Sequence, residues 1–322
     1  MTALWIALGV AGGLLLIALA VSFICYKIVF YSAPRVKSDE IPTPPGEEYD
    51  PYREDMKKWV LAVRAMPHDD VEIKSRDGVV LRAKYYEHSE GAPIELMMHG
   101  YRGNSERDMS AGVLRAFKLG RSVLLVDHRG SGDSGGKTIT FGVKEREDCL
   151  LWVDYLVSRF KNSRAVILTG ISMGAATVMS CSSAELPPCV VGVLADCGYT
   201  SAKQIIKKVV RDLKLPAPIF YPFIKLGARL FGGFKLESNP PIEEVKSARV
   251  PIFFTHGDAD SFVPCNMSIE CHAACMSEKE LFIVEGAGHG LCYPVANERY
   301  LEAIDKFFAP YIARHRESLN KN

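Results

Sequence analysis

Apolar residues fall into three patterns along this chain. One is a single long block: Ala3 to Tyr26 carries no charge, and 24 helical residues reach about 36 Å, enough to cross a bilayer core of about 30 Å. The second is a set of short, apolar or β-branched runs that read as buried strands, at Pro93–His99, Ser122–Asp127, Ala165–Thr169, Cys189–Ala195, Val250–His256 and Glu280–Val284. The third has helical spacing and lies between those runs, at Ser105–Leu119, Lys144–Phe160, Met173–Ala184, Met267–Met276 and Asn297–Arg316. Ahead of them, Val71–Ser75 and Val79–Tyr86 flank Arg76-Asp77-Gly78, a hairpin signal. A hairpin followed by strand–helix alternation predicts an α/β fold, with a mostly parallel sheet covered by helices on both faces.

Two stretches break the rhythm. Ile41 to Pro51 is rich in proline and acid and predicts a semi-rigid linker. Between Asp196 and Val250 the crossover is longer than one helix needs, so an insertion at about 198–248 is placed to act as a lid. The expected organisation is an anchor over 1–31, a proline-rich linker over 32–51 and a globular domain over 52–322.

Composition narrows the class. With 322 residues, 48% of them hydrophobic, the chain has ample material for a core, and a net charge of +1 gives no reason to expect nucleic acid as a partner. Nine cysteines form no CxxC pair and no zinc spacing, and several fall inside expected strands and helices, which favours reduced thiols and a reducing compartment. The N-terminal block has a competing reading as a cleaved secretory signal, since Ala18-Leu19-Ala20 resembles a cleavage site. No lysine or arginine precedes the block, however, and it exceeds a signal core in length. A retained single-pass anchor is therefore expected, and Lys27, Arg35 and Lys37 after it place the domain in the cytoplasm.

In an open α/β sheet the working crevice lies beyond the carboxyl ends of the strands, so residues just after each strand carry the chemistry. Ala165–Thr169 runs into Gly170-Ile171-Ser172-Met173-Gly174 and then a helical pattern, a serine at a strand-to-helix elbow. His256-Gly257-Asp258-Ala259-Asp260 and Glu285-Gly286-Ala287-Gly288-His289 follow the last two strands. Serine, acid and histidine thus succeed one another in that chain order. A serine hydroxyl is a poor nucleophile without a base in reach, and His289 is the candidate base for Ser172. Asp258 and Asp260 both lie in the loop that would supply the acid. The Met173 N–H, at a helix start, is a candidate donor to an oxyanion.

These motifs resemble the α/β-hydrolase superfamily over Val71 to Ile312: HGYRGN at 99–104, DHRGSGDSGG at 127–136, GISMG at 170–174, HGDADSFVP at 256–264 and GAGHG at 286–290. More narrowly they are similar to bacterial membrane-anchored esterase- or serine-aminopeptidase-like hydrolases. The resemblance implies an α/β-hydrolase fold and a catalytic set of Ser172, Asp260 and His289. It assigns the acid to Asp260 and the second oxyanion donor to the Tyr101 N–H. Asp258 is left to bond loop N–H groups, and His99 and His256 are expected to organise turns. The implied activity is ester cleavage through an acyl-enzyme on Ser172, with amide cleavage or a non-catalytic receptor as alternatives. A small-molecule or lipid-like acyl substrate is expected, with no cofactor and no metal.

Thr200 to Ser238 stands apart in charge. Lys203, Lys207, Lys208, Arg211, Lys214, Lys225, Arg229 and Lys235 face only Asp212 and Glu237, with five aromatic residues among them. Its plain reading is a lid with a solvated basic side. A sharper one sets this face on anionic lipid headgroups.

Overall fold

The computed structural model describes residues 1–33 and 40–321. Eight strands form one sheet: β1 (Asp69–Lys74), β2 (Val80–Tyr86), β3 (Ile94–Met98), β4 (Ser122–Val126), β5 (Val166–Ile171), β6 (Val190–Asp196), β7 (Ile252–Gly257) and β8 (Lys279–Val284), in the spatial order β1-β2-β4-β3-β5-β6-β7-β8. The helices are α1 (Thr2–Val29), α2 (Arg53–Arg64), α3 (Ser105–Lys118), α4 (Val143–Phe160), α5 (Met173–Cys181), α6 (Ala202–Asp212), α7 (Ala217–Leu230), α8 (Pro241–Glu244), α9 (Asn266–Ala274) and α10 (Cys292–Leu319).

β1 and β2 form the expected hairpin, β2 runs antiparallel to β4, and every neighbouring pair from β4 to β8 is parallel. Alternate residues feed opposite faces, as the pleat requires. Leu96, Leu124, Leu168 and Phe254 pack with Trp152 of α4, Val178 of α5 and Cys271 of α9. On the other face, Met97 and Leu125 meet Met109 and Val113 of α3, while Ile167 and Phe253 meet Ile304 and Phe308 of α10. From β3 the chain adds β4 on one side and then crosses back to place β5 on the other. That reversal opens a crevice at the carboxyl ends of β3 and β5.

Three expectations need correction. First, the strand and helix patterns of the sequence assign no element to Arg53–Arg64. It is the amphipathic α2, burying Met56, Val60 and Val63 one turn apart. Likewise α10 starts at Cys292 rather than Asn297, where φ 34 and ψ −102 kink it.

Second, the described parts of 32–51, at 32–33 and 40–51, pack on the domain rather than standing between a free anchor and a domain beginning at 52. The last two turns of α1 already belong to the fold: Ser22, Cys25 and Tyr26 are buried, as is Phe30 just beyond. Gly227 of α7 lets the two helices close on each other, because a Cβ there would stand 2.4 Å from the Ser22 carbonyl oxygen. The Phe23 and Phe231 rings meet edge-on at 5.1 Å. The Ser32 N–H then bonds the Lys137 carbonyl at 2.9 Å and Ile139 N–H bonds Phe30. Residues 34–39 of the expected linker lie outside the described residues. From Glu40 onward the segment folds against the domain. Arg53 pins it, donating to the Pro44 carbonyl at 2.8 Å and the Gly46 carbonyl at 2.7 Å.

Third, the insertion at 198–248 forms α6, α7 and α8, yet it packs beside α1, with Tyr221, Ile224 and Ala228 buried alongside Cys25, Tyr26 and Phe30. The apolar side that was expected to cover a pocket covers the end of the N-terminal helix.

Candidate active site

Ser172 ends β5 and opens α5 with φ 57 and ψ −116, a left-handed backbone that costs free energy for a residue with a Cβ. The residues two before and two after it must be glycine. A Cβ on Gly170 would lie 2.2 Å from the Gly174 backbone, and one on Gly174 would lie 1.9 Å from the Met98 carbonyl oxygen. The Ser172 N–H bonds the Asp196 carbonyl at 2.8 Å, fixing the turn to the end of β6. Met173 follows at the first turn of α5, where helix N–H groups have no partner within the helix.

The loop after β3 stands beside this turn: a Cβ on Gly100 would be 3.6 Å from Ser172 Cβ. His99 is fully buried and its Nε2 accepts the His128 N–H at 3.0 Å, so the ring proton sits on Nδ1, which donates to the Gly100 carbonyl at 2.7 Å. That bond sets the plane of the Gly100–Tyr101 peptide. In a trans peptide the N–H points opposite to the carbonyl, so the His99 ring aims the Tyr101 N–H. Asp108 holds the other side, accepting the Gly100 N–H at 3.0 Å. Burial, with the neighbouring His99 adding to it, pushes the His128 imidazole down to about 3 and keeps it neutral.

After β7 the two aspartates part. Asp258 accepts the Gly286 N–H at 2.7 Å and so braces the next loop. Asp260 Oδ2 lies 2.6 Å from His289 Nδ1 and 3.1 Å from His256 Nε2, while its Oδ1 accepts the Phe262 and Val263 N–H groups at 2.9 and 2.8 Å. Burial opposes the Asp260 charge. The hydrogen bonds from His256 and His289, the electrostatic pull of the His289 ring and the Val263 N–H outweigh it and hold the carboxyl well below the usual carboxylate range. With Nδ1–H turned to a carboxylate, His289 keeps the lone pair of Nε2 for another partner. Its ring meets Phe262 edge-on at 5.2 Å.

Ser172 and His289 line one cavity of about 390 Å³ with Gly100 and Tyr101. Its outer wall comes from Pro44, Pro45, Glu48 and Tyr49, with Met56 and Trp59 of α2. None of its lining residues belongs to 198–248, where a lid was expected. Sequence reasoning missed this wall, and the amphipathic spacing of α2 was the one signal available. It also missed that His256, four residues ahead of Asp260, props the acid from beneath. Among the described residues, one group of donor atoms is close enough to hold a metal: those of Cys197, Asp260 and His289 lie within 4.8 Å of one another. Burial raises the Cys197 thiol well above its ordinary value, and the Asp260 oxygens are already filled, so the set fits a hydrogen-bonded site better than a coordinating one.

A family model described as serine aminopeptidase, S33, matches residues 94–225. Curated relatives include the uncharacterized protein YqkD of Bacillus subtilis, 26% identical over 190 residues, which are 59% of this chain and 62% of YqkD, just under two thirds of its length. Protein bem46 of Schizosaccharomyces pombe is 23% identical over 67% of this chain and 69% of its own. Among solved structures, the Pyrococcus furiosus esterase Pf2001 superposes with a TM-score of 0.63 at 22% identity, over 88% of this chain and 98% of the esterase. Est1E from Butyrivibrio proteoclasticus, bound to ferulic acid, gives 0.58 at 21% identity over 76% and 99%. The fold these likenesses share is that of the α/β hydrolases.

Proposed function

We propose that this α/β-hydrolase superfamily member is a membrane-held serine hydrolase that cleaves carboxylic esters through an acyl-enzyme on Ser172. The observation that carries the reading is the Asp260–His289 pair, joined at 2.6 Å and sharing a cavity with a serine on a strained elbow. His289 Nε2 takes the hydroxyl proton as Ser172 Oγ bonds to the acyl carbon, and ionised Asp260 stabilises the imidazolium. The carbonyl oxygen becomes an oxyanion facing the N–H groups of Tyr101 and Met173. Collapse breaks the ester C–O bond, and His289 returns its proton to the departing alcohol. Water then repeats the sequence, leaving the carboxylic acid and free Ser172.

A second reading, amide cleavage, is favoured by Glu48 in the cavity wall, an acid placed where it can meet a substrate ammonium group. Turnover of p-nitrophenyl butyrate against leucine p-nitroanilide, with fluorophosphonate labelling of the parent chain, tests both. Failure to hydrolyse either substrate and to label would overturn the hydrolase reading.

The membrane part rests on α1. From Thr2 to Ala20 it buries no residue, and those 19 residues span about 28 Å against about 30 Å of hydrocarbon. The next residues dock on α7, so the domain sits where the span ends. There the insertion exposes Leu213, Ile219 and Leu230 among Arg211, Lys214 and Arg229, a mixed apolar and basic face suited to anionic headgroups. This placement favours lipid-like acyl substrates.

A further inference from the structure

The loop that carries the Tyr101 N–H is fastened to the end of the N-terminal apolar helix. The last carbonyls of a helix have no partner inside it and carry its negative pole. At the end of α1 those carbonyls are taken by side chains from the loop after β3. The Tyr101 hydroxyl donates to the Val29 carbonyl at 2.6 Å. Arg102 Nη2 donates to the Ile28 carbonyl at 2.6 Å and to the Tyr31 carbonyl at 3.3 Å. The guanidinium also places positive charge where the helix dipole favours it.

The local backbone shows why this grip matters. Arg102 has φ 53, a left-handed conformation that a residue with a Cβ holds only under external support. His99 and Asp108 hold Gly100 from the sheet side. Across the loop, the bonds to α1 hold the next two residues, and the Tyr101 ring lies 4.8 Å from that of Phe141. Tyr101 therefore has its N–H on the nucleophile's side and its hydroxyl on a helix suited to a bilayer.

We infer that Tyr101 and Arg102 are positioning residues through which the last turn of α1 holds the Tyr101 N–H ready for the oxyanion. The inference rests on the acyl-enzyme reading above. It makes the anchor part of the catalytic apparatus: the loop keeps its catalytic geometry while the end of α1 is docked, and loses it when that end is released.

The test uses the full-length chain in detergent or bilayer discs, with p-nitrophenyl butyrate as substrate. Tyr101→Phe keeps the ring against Phe141 and removes one hydrogen bond, while Arg102→Gln removes the charge. In the double variant kcat should fall between about 10- and 100-fold, the order that misplacing a catalytic group by about 1 Å costs, with KM unchanged. Arg102→Lys, which restores a cation at the helix end, should recover part of the lost kcat. Should the double variant fail to fold, Tyr101→Phe alone carries the test through the same split of kcat from KM. A parent-like kcat beside a lowered melting temperature would overturn the inference, because the bonds would then only fasten the helix. Ser172→Ala separates the two levels. If it stays active, the acyl-enzyme reading falls. If it is dead while the Tyr101 and Arg102 variants keep full kcat, only this inference falls.

Discussion

The Tyr49 hydroxyl donates to the backbone carbonyl of His289 at 2.9 Å, so the proline-rich segment grips the loop that bears the proposed base. Tyr49 is buried, and nothing ties its position to the sheet by sequence. Tyr49→Phe keeps the packing and deletes the bond. Losing about 1 kcal/mol of positioning should lower kcat/KM about fivefold. Steady-state kinetics beside a melting curve checks this, and a parent-like kcat/KM would show the bond to be idle in turnover.

Ser172→Ala should abolish both fluorophosphonate labelling and ester turnover, with kcat down by several powers of ten. The left-handed backbone is set by the glycines and by the Asp196 carbonyl, so the fold should persist, as circular dichroism would report. Labelling that survives the substitution would remove Ser172 from the reaction.

The divergence of the two aspartates predicts unequal mutants. Asp260→Asn loses the carboxylate that faces His289 and should cut kcat by up to about 10⁴-fold, the cost of a wrong histidine tautomer. Asp258→Asn retains an oxygen for the Gly286 N–H and should cost far less. Equal losses would mean that the loop, rather than the acid, limits turnover.

Asp260 also sets a pH dependence of stability. Its folded pKa lies below the unfolded value of about 3.9, so its contribution is fully present above that value and fades as pH falls toward the lower one. The gap in denaturant midpoint between the parent chain and Asp260→Asn should therefore stay constant from pH 8 to 5 and narrow below about pH 4. A gap that widened in acid would contradict the depressed carboxyl.

The full chain should stay with membranes through high-salt and carbonate washes, because α1 is long and apolar enough to span while headgroup attraction alone is screened. Protease outside intact cells should leave the domain whole, as expected from Lys27, Arg35 and Lys37. Cleavage there would reverse the orientation, and a soluble mature form beginning at Val21 would replace the anchor with a signal sequence.

Strand ends were readable from sequence because parallel strands buried on both faces leave near-continuous apolar runs, as in β3 and β6. The elbow was readable because two close backbone approaches admit only glycine at 170 and 174. The course of residues 40–60 was not. Proline and acid in IPTPPGEEYDP forbid long regular structure, but they do not say which surface such a segment lies on. That choice rests on a long-range partner, Tyr49 with the His289 carbonyl 240 residues on, which no local pattern encodes. The insertion misled for a related reason. Its apolar stripe announced a buried face without naming the partner, and α1 took it.

The wall of Pro44, Pro45 and Tyr49 precedes every strand in the chain, and it also lies outside the matched 94–225 core. The outer wall of the proposed acyl pocket is thereby a segment separate from the sheet that carries the nucleophile turn. Because they precede every strand, residues 40–52 can be grafted from a relative to test this, with Tyr49 retained to keep its bond to the His289 carbonyl. A graft of this kind would re-tailor the acyl pocket while the nucleophile turn stays fixed, which makes the strap the natural handle for engineering substrate preference.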